Sequence, residues 1–264
     1  MHVLETRTQA VTAQREHGRT WIAVLHELGL LSPRLTINHG IWLTDDDIAL
    51  LADNHCAVTH NSLSNLKIGS GYCPVRRLID AGVAVALGTD GLATSDTADL
   101  IEALRTAALM HKPRTTEFET WIDAHDAFRL ATRGGARSGL MADDLGEIAP
   151  GRKADLALLD RTHWGFLPLH DPVAQLAYSV SSEGVRTVIV DGAVIMQDRK
   201  LCTVDEGAVR ERIAQAAEKW RRDVKPAALA AADRLFPVMT EVYREAIHAF
   251  ETEDWAAPLR DRVA

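Results

Sequence analysis

The N-terminal part of the chain carries several side chains that can bind a metal ion or transfer a proton. They are His2, Glu5, His39, His60, Asn61 and Asp90. Imidazole and carboxylate groups are suitable zinc ligands, and the same groups serve as general acids and bases. Each one alone could be a structural residue, but their joint placement along the chain indicates a site for metal or proton-transfer chemistry.

These polar groups follow four short apolar runs that are typical of buried strands. The runs are residues 1–4, 35–38, 56–59 and 83–87. Amphipathic helical stretches lie between them, beginning with a long predicted helix that ends at Gly29. Strands that alternate with helices predict a parallel sheet, and active sites in such folds lie at the carboxyl ends of the strands. We therefore expect the polar groups to meet at one edge of the sheet.

The motifs around these positions resemble the amidohydrolase superfamily. They are MHVLET at residues 1–6, HNSLSNLK at 60–67 and GTDG at 88–91, with His39 between the first two. The most similar subgroup comprises aminohydrolases and chlorohydrolases of N-heterocycles, including S-adenosylhomocysteine/methylthioadenosine deaminases, guanine deaminases and triazine hydrolases. A later run, GEIAPGRKADL at 146–156, resembles the segment by which that family's chain leaves its barrel and enters a small β-sandwich.

The resemblance implies an α/β fold, namely the C-terminal part of a (β/α)8 TIM-type hydrolase barrel. We expect the partial barrel over residues 1–143, from the fifth strand onward, and a β-sandwich-type segment with barrel-return elements over 144–203. The turn at Asp191-Gly192 is a hairpin signal within that second segment. Residues 204–264 are polar, Ala-rich and helical in pattern, and they predict a helical tail.

The resemblance also implies roles for four residues. His2 and Asp90 would bind one divalent metal, usually zinc and sometimes iron. Glu5 would contact the substrate ring and shuttle a proton, and His39 would hydrogen-bond the metal-bound water or the developing oxyanion. When only the residue types are considered, two non-functional interpretations stay open. Asp90 could be a turn residue after a strand, and Glu5 could be a solvated residue at the start of a helix.

Three further residues are candidate substrate contacts, namely His60, Asn61 and Trp42. His60, Asn61 and the nearby Asn65 could instead hold a loop in place through side-chain to backbone hydrogen bonds. Trp42 follows His39 closely and could line the pocket, although an aromatic side chain there could equally serve in packing. The remaining histidines that lie outside any motif are interpreted as surface or structural residues; they include His26, His111, His125, His163 and His248.

The chain departs from the family pattern at the metal site. The family's first strand supplies a His-x-His pair, and no such pair occurs in this sequence. His2 and Asp90 do not by themselves complete the three or four ligands of a zinc site. We therefore expect a C-terminal portion of a longer enzyme, either as a truncated reading frame or as a half that pairs with another chain. Ser62, where the family usually has proline, affects only the rigidity of the loop.

Composition restricts the classes of partner. The 264 residues carry a formal net charge of −8, with 29 Lys+Arg against 37 Asp+Glu. This balance argues against binding to a nucleic-acid polymer, which needs a concentrated basic surface. Apolar runs are too short to span a membrane, and the three cysteines form neither a disulfide framework nor a thiolate zinc site. We expect a cytoplasmic protein that acts as a homo-oligomer or together with the N-terminal half.

The predicted function is metal-dependent hydrolysis of a C–N bond in an N-heterocycle such as a purine, an adenosine derivative, a pyrimidine or a triazine. Two alternatives stay open. One is a triazine-type chlorohydrolase that uses the same activated water. The other is a catalytically silent fragment or interaction half. The sequence does not separate them, because the pocket for the leaving group would be built partly by the other half of the barrel.

Overall fold

The structure is a computed structural model and describes residues 1–260. Its first part alternates strands with helices, as the sequence predicts. In chain order these elements are β1 (His2–Val3), α1 (Arg7–His17), α2 (Trp21–Glu27), β2 (Thr36–His39), α3 (Asp45–Asp53), β3 (Ala57–His60), α4 (Ser62–Lys67), α5 (Val75–Asp80), β4 (Ala84–Leu87), α6 (Leu92–Ser95) and α7 (Leu100–Met110). Helices α8 (Ala124–Arg129) and α9 (Gly135–Ser138) follow, on either side of a π-helical segment, Leu130–Gly134.

Strands β1 to β4 form one parallel sheet in sequential order. Val3 pairs with His39, Ile37 with Val58, and Val58 with Val85. Ile37 and Val58 have no exposed surface, as expected for the central strands of a sheet covered by helices. The α/β class predicted from the sequence is confirmed. Because all four strands run in the same direction, their carboxyl ends lie along one edge.

The stretch between β1 and β2 differs from the single long helix that the sequence predicts. Gly18 ends α1 in a left-handed conformation with φ of 66°, and the Thr20 side chain accepts a hydrogen bond from the Ala23 N–H to begin α2. Glycine adopts positive φ without a steric penalty, and threonine is a favoured N-cap. The Gly18 C-cap and the Thr20 N-cap therefore divide this stretch into two helices, although the spacing of apolar residues continues from one helix into the next.

Helix α3 begins at a side-chain cap that directly follows the site-bearing strand β2. Thr44 and Asp47 form a capping box, in which the Thr44 side chain accepts from the Asp47 N–H and the Asp47 carboxylate accepts from the Thr44 N–H. Asp47 is almost fully buried, and this burial is the main reason that its pKa is raised. The capping box therefore fixes the turn that follows β2 and the chain beyond His39.

A second sheet follows the helices. It contains β5 (Leu156–Leu159), β6 (Val185–Val190), β7 (Ala193–Gln197) and β8 (Lys200–Leu201), all antiparallel and in sequential order, with α10 (Pro172–Tyr178) between β5 and β6. Asp191 and Gly192 join β6 to β7 with positive φ values of 47° and 81°. The hairpin predicted at this dipeptide is confirmed, because positive φ at both turn positions suits the twist of the flanking strands.

The tail contains α11 (Glu206–Asp223), α12 (Lys225–Thr252) and α13 (Ala257–Arg260). The helical prediction for the tail also reaches residues 261–264, which lie outside the described residues. The end of α12 and the segment after it pack on the parallel-sheet part, where Ala246, Ala249, Phe250, Ala256 and Leu259 are buried. Within residues 1–260 no helix is both long and apolar enough to cross a membrane. The segment boundaries at 143/144 and 203/204 stay predictions.

The buried centre of the parallel sheet generates a stability prediction. We expect Ile37→Ala to lower the free energy of unfolding by about 2–5 kcal/mol, because it removes apolar contacts and leaves a cavity. The control is Leu235→Ala on α12, where the leucine is 57% exposed and the change should stay within about 0.5 kcal/mol. Urea unfolding followed by circular dichroism measures both. An equal decrease in the free energy of unfolding in the two variants would contradict a core centred on β2.

Candidate active site

The backbone turns sharply at the edge where the four parallel strands end. Leu4, His39 and Asp90 have positive φ values of 53°, 72° and 60°. Such conformations are uncommon for residues other than glycine, although Asp and His tolerate them better than most. Each costs about 1–3 kcal/mol and persists only where the surrounding structure holds it, as in many functional sites. Two of the four predicted metal or catalytic residues are therefore held in strained positions.

Four side chains predicted from the sequence converge at this edge. His2 Nδ1 lies 2.9 Å from His39 Nε2, and the two ring centroids are 4.9 Å apart. His39 Nε2 also lies 3.6 Å from Glu5 Oε2 and 3.9 Å from Asp90 Oδ2. His39 is fully buried, whereas the His2 side chain is 51% exposed. The structure thus places all four around the Nε2 atom of His39.

The donor set of this cluster suits a divalent cation. The possible ligand atoms of His2, Glu5 and His39 all lie within 4.8 Å of one another. Zinc binds imidazole nitrogen and carboxylate oxygen at about 2.0–2.2 Å, so atoms on opposite sides of one ion are about 3–4 Å apart. Two histidines with one glutamate form one of the ligand sets of catalytic zinc sites. Residues at this edge therefore fit zinc, and Asp90 lies directly beside them.

The carboxylate of Asp90 is held by hydroxyl groups. Ser64 Oγ and Thr94 Oγ1 each donate a hydrogen bond of 2.7 Å to Asp90 Oδ2. Burial by itself would raise the pKa of Asp90, but these two bonds and a bond from the Gly91 N–H outweigh it, and the pKa is lowered. Asp90 is therefore ionised at neutral pH, the form that both a metal ligand and a general base require.

His60 belongs to a second imidazole pair beside the cluster. His60 Nε2 lies 3.3 Å from His111 Nε2, with ring centroids 5.2 Å apart. Burial, followed by the charges of His111 and His39, holds the pKa of His60 well below its usual value. Burial and the nearby Arg114 lower the pKa of His111 to about 4. Both rings are therefore neutral at pH 7, and they form a polar contact without adding positive charge.

The remaining predicted substrate contacts occupy buried positions. Asn61 is 3% exposed and lies behind Gly88, where an added Cβ would clash with its Oδ1. Trp42 is 2% exposed, with the Phe250 ring 4.8 Å from its own and the Arg7 guanidinium 4.7 Å above it. These contacts favour the packing interpretation of Trp42 over the predicted contact with substrate.

A cavity of about 330 Å³ lies near the cluster without containing it. Its lining includes Trp42, Tyr72, His111 and Trp121, but none of the four converging residues. The candidate ligand and proton-transfer groups belong to the converging side chains and not to the lining of this cavity. His111 connects the two regions, since it lines the cavity and contacts His60.

Sequence reasoning missed several residues that support the site. The sequence predicts a surface or structural role for His111, which the structure pairs with His60. The motifs assign no role to Ser64 or Thr94, although both donate hydrogen bonds to Asp90, and they predict only a loop role for Asn65. The dense run of small polar residues in HNSLSNLK was the available signal. Such a run marks a functional segment only when its residues are known to be buried, and burial is decided by the tertiary structure.

Comparison with known proteins identifies the family. The model of the amidohydrolase family matches residues 1–195. The chain is 36% identical over 219 residues to 5'-deoxyadenosine deaminase of Methanosarcina mazei, an alignment that covers 83% of this chain and 50% of that protein. It is 37% identical over 226 residues to a 5-methylthioadenosine/S-adenosylhomocysteine deaminase of Syntrophobacter fumaroxidans, with 86% and 50% covered. The chain therefore belongs to the amidohydrolase family.

Solved structures agree with this assignment. An adenosine deaminase from Xanthomonas campestris with bound zinc aligns with a TM-score of 0.80 and 34% identity, covering 83% of this chain and 50% of that one. Atrazine chlorohydrolase from Arthrobacter aurescens, complexed with zinc, aligns with a TM-score of 0.77 and 31% identity, covering 81% and 47%. The resemblance drawn from the motifs is confirmed. The chain spans about half the length of the curated relatives it matches.

The geometry of the cluster predicts which histidine matters most for cation binding. We expect His39→Ala to weaken zinc affinity by more than the about 10–100-fold that is typical of losing a supporting hydrogen bond, because Nε2 of His39 is the atom around which the other groups gather. Competition with a chromophoric chelator measures the affinity. The matched control is His26→Ala, at an exposed histidine on α2. Equal affinities in the two variants would remove His39 from the cation site.

Proposed function

We propose that this chain carries the proton-transfer groups and part of the metal site of a zinc-dependent aminohydrolase that releases ammonia from the ring of an adenosine-type nucleoside. The observation that carries the proposal is the convergence of His2, Glu5, His39 and Asp90 at the carboxyl edge of a parallel sheet. The names of the relatives support the substrate class, since they include 5'-deoxyadenosine deaminase and 5-methylthioadenosine/S-adenosylhomocysteine deaminase.

Under this proposal His2 and Asp90 would hold the cation, and His39, whose Nε2 atom lies 2.9 Å from His2 Nδ1 and 3.9 Å from Asp90 Oδ2, would be a further ligand. A bound divalent cation supplies a water molecule whose pKa is lowered to about 7. Asp90 is ionised because of its hydroxyl partners, so its carboxylate is ready to accept a proton from the attacking water. His39 presents Nε2 to the same point and is held there by complete burial. The donor set accommodates zinc and also iron, and the zinc-bound structures favour zinc.

Glu5 is the group that we assign to proton transfer on the substrate ring. Its carboxylate is 17% exposed and lies 3.6 Å from His39 Nε2, so it faces both the cluster and the open edge. When water adds to the ring carbon, the adjacent ring nitrogen takes up a proton, which Glu5 delivers. The proton from the water passes to Asp90 and then to the amino group. Ammonia leaves as the hydroxyl proton of the adduct returns to Glu5 and the ring C–O bond becomes a carbonyl.

The proposal extends to partners and location. A zinc site needs three or four protein ligands, so we infer that the active form is a homo-oligomer or an assembly with a polypeptide that supplies the family's His-x-His pair. The ligand is a small N-heterocycle rather than a nucleic-acid polymer. A cytoplasmic location stays a prediction that the three free cysteines favour.

A second candidate is hydrolytic dechlorination of a triazine. The observation that favours it is the structural similarity to atrazine chlorohydrolase, with a TM-score of 0.77. The same activated water would attack a ring carbon, and chloride would leave in place of ammonia. Since chloride departs without a proton, this reaction would not need Asp90 to return a proton to the leaving group.

The two reactions are separated by their products. We expect the assembly that completes the metal site of this chain, supplied with zinc, to release ammonia from 5'-deoxyadenosine, methylthioadenosine or S-adenosylhomocysteine, measured by a coupled glutamate dehydrogenase assay. Chloride release from atrazine under the same conditions would favour the chlorohydrolase. A chain that binds stoichiometric zinc and produces neither ammonia nor chloride would contradict both and support the silent alternative.

The assigned roles predict different effects for Asp90 and Glu5. We expect Asp90→Ala to lower both zinc affinity and turnover, because it removes a ligand and a base together. We expect Glu5→Gln to keep zinc affinity and to lower turnover by about 10²–10⁴-fold, the usual contribution of a positioned proton donor. Zinc titration and ammonia release, measured on the same preparations, test the pair. A Glu5→Gln variant that loses zinc as fully as Asp90→Ala would make Glu5 a ligand.

A further inference from the structure

Helix α4 carries a cluster of buried polar side chains beside the candidate site. Ser62 and Ser64 have no exposed surface, and Asn65 is 1% exposed. A buried polar group without a hydrogen bond destabilises the folded state, so such groups normally have specific partners. The partners here are the Ala103 carbonyl for Ser62, the Asp90 carboxylate for Ser64 and the His39 ring for Asn65, at 2.8, 2.7 and 2.9 Å.

The position of α4 in the fold explains why it reaches both groups. The helix follows β3, and β3 lies between β2, which ends at His39, and β4, which precedes Asp90. One short helix therefore contacts a site residue from each neighbouring strand. The Ser62 hydrogen bond to the Ala103 carbonyl ties α4 to α7, so the helix is fixed to the body of the protein rather than to the site alone.

The contact between Asn65 and His39 determines which ring nitrogen of His39 carries hydrogen. The Asn65 atom next to His39 Nδ1 is Oδ1, which can only accept a hydrogen bond. His39 Nδ1 must therefore carry the hydrogen, and in a neutral imidazole Nε2 is then left with a free lone pair. Nε2 is the atom that faces His2, Glu5 and Asp90. Since His39 and Asn65 are both buried, water does not compete for this contact.

The opposite orientation of the Asn65 amide would have the opposite effect. An NH₂ group beside Nδ1 would require a bare Nδ1 and would place the hydrogen on Nε2, which would then be unable to bind a cation. Neither carboxylate at the cluster calls for a hydrogen on Nε2, because Glu5 Oε2 and Asp90 Oδ2 lie 3.6 and 3.9 Å from it, beyond hydrogen-bond distance. The Asn65 NH₂ group itself has no hydrogen-bond partner among the described residues.

We propose that Asn65 and Ser64 are positioning residues for this site. Asn65 fixes His39 in the tautomer whose Nε2 lone pair faces the cluster, and Ser64 fixes the carboxylate of Asp90 toward the same point. The consequence for cation binding and turnover rests on the proposed function. The tautomer of His39 does not, because it is a property of the folded chain without any metal.

The tautomer is measured directly by long-range ¹H–¹⁵N spectra of the metal-free chain labelled with ¹⁵N-histidine, with His39 assigned by its loss in His39→Gln. We expect the wild-type chain and Asn65→Asp to show hydrogen on Nδ1, since a carboxylate also only accepts. We expect Asn65→Leu, which has similar volume and no acceptor, to shift the hydrogen toward Nε2. Hydrogen on Nε2 in the wild-type chain, or the same spectrum in all three proteins, would overturn the proposal.

Zinc affinity supplies the second measurement. We expect Asn65→Leu and Ser64→Ala to weaken zinc binding by about 10–100-fold, the usual effect of losing a hydrogen bond to a ligand, and Asn65→Asp to retain most of the affinity. The matched control is Ser70→Ala, a buried serine whose hydroxyl has no partner among the described residues; it should bind zinc as the wild type does. An equal loss of zinc affinity in Ser64→Ala and Ser70→Ala would show that Ser64 serves only in packing.

The two measurements separate this inference from the proposed function. If the wild-type chain binds no zinc, the proposed metal site fails, and the His39 spectrum still decides whether Asn65 sets the tautomer. If zinc binds and the spectrum shows hydrogen on Nε2, the positioning role of Asn65 fails and the metal site stands. Where the chain is active, a fall in kcat for Asn65→Leu with an unchanged KM, restored in Asn65→Asp, distinguishes positioning from loss of folding.

Discussion

The parallel pairing of β1 to β4 is the constraint on which the candidate site depends. In a parallel sheet every strand presents its carboxyl end at the same edge, so residues far apart in sequence become neighbours there. The register places Val3 opposite His39 and His60 opposite Leu87. A slip of one residue in any pair would turn each side chain to the other face of the sheet. The buried apolar strands that hold the register therefore also hold the chemistry.

The polar groups at this edge are stable because nearly all of them have partners in the interior. His39 has no exposed surface, yet its two ring nitrogens face Asn65 and His2. Asp90 combines a strained backbone with two hydroxyl donors. A network of this kind destabilises the protein when one member is removed and restricts the others to one arrangement when it is complete. The same interactions that make burial tolerable thus hold the groups in one arrangement at this edge.

Neutral and ionised side chains occupy different parts of this edge of the sheet. His60 and His111 are kept neutral by burial, so they add no positive charge next to a cation site. Asp90 is kept ionised by hydrogen bonds despite its own partial burial. Glu5 and His2, which retain contact with solvent, stand at the open side where a substrate would enter. Burial therefore distinguishes the interior members of this candidate site from the members that solvent reaches.

The amino-acid sequence alone determined the α/β class, the family and the four residues that gather at the strand ends, because apolar periodicity and short motifs are local properties. It also identified the hairpin at Asp191-Gly192. The supporting roles of Asn65, Ser64 and His111, and the packing of Trp42 against Phe250, were decided only by tertiary structure. Burial and hydrogen-bond partners join residues that are distant in sequence, and no local pattern records which of them will meet.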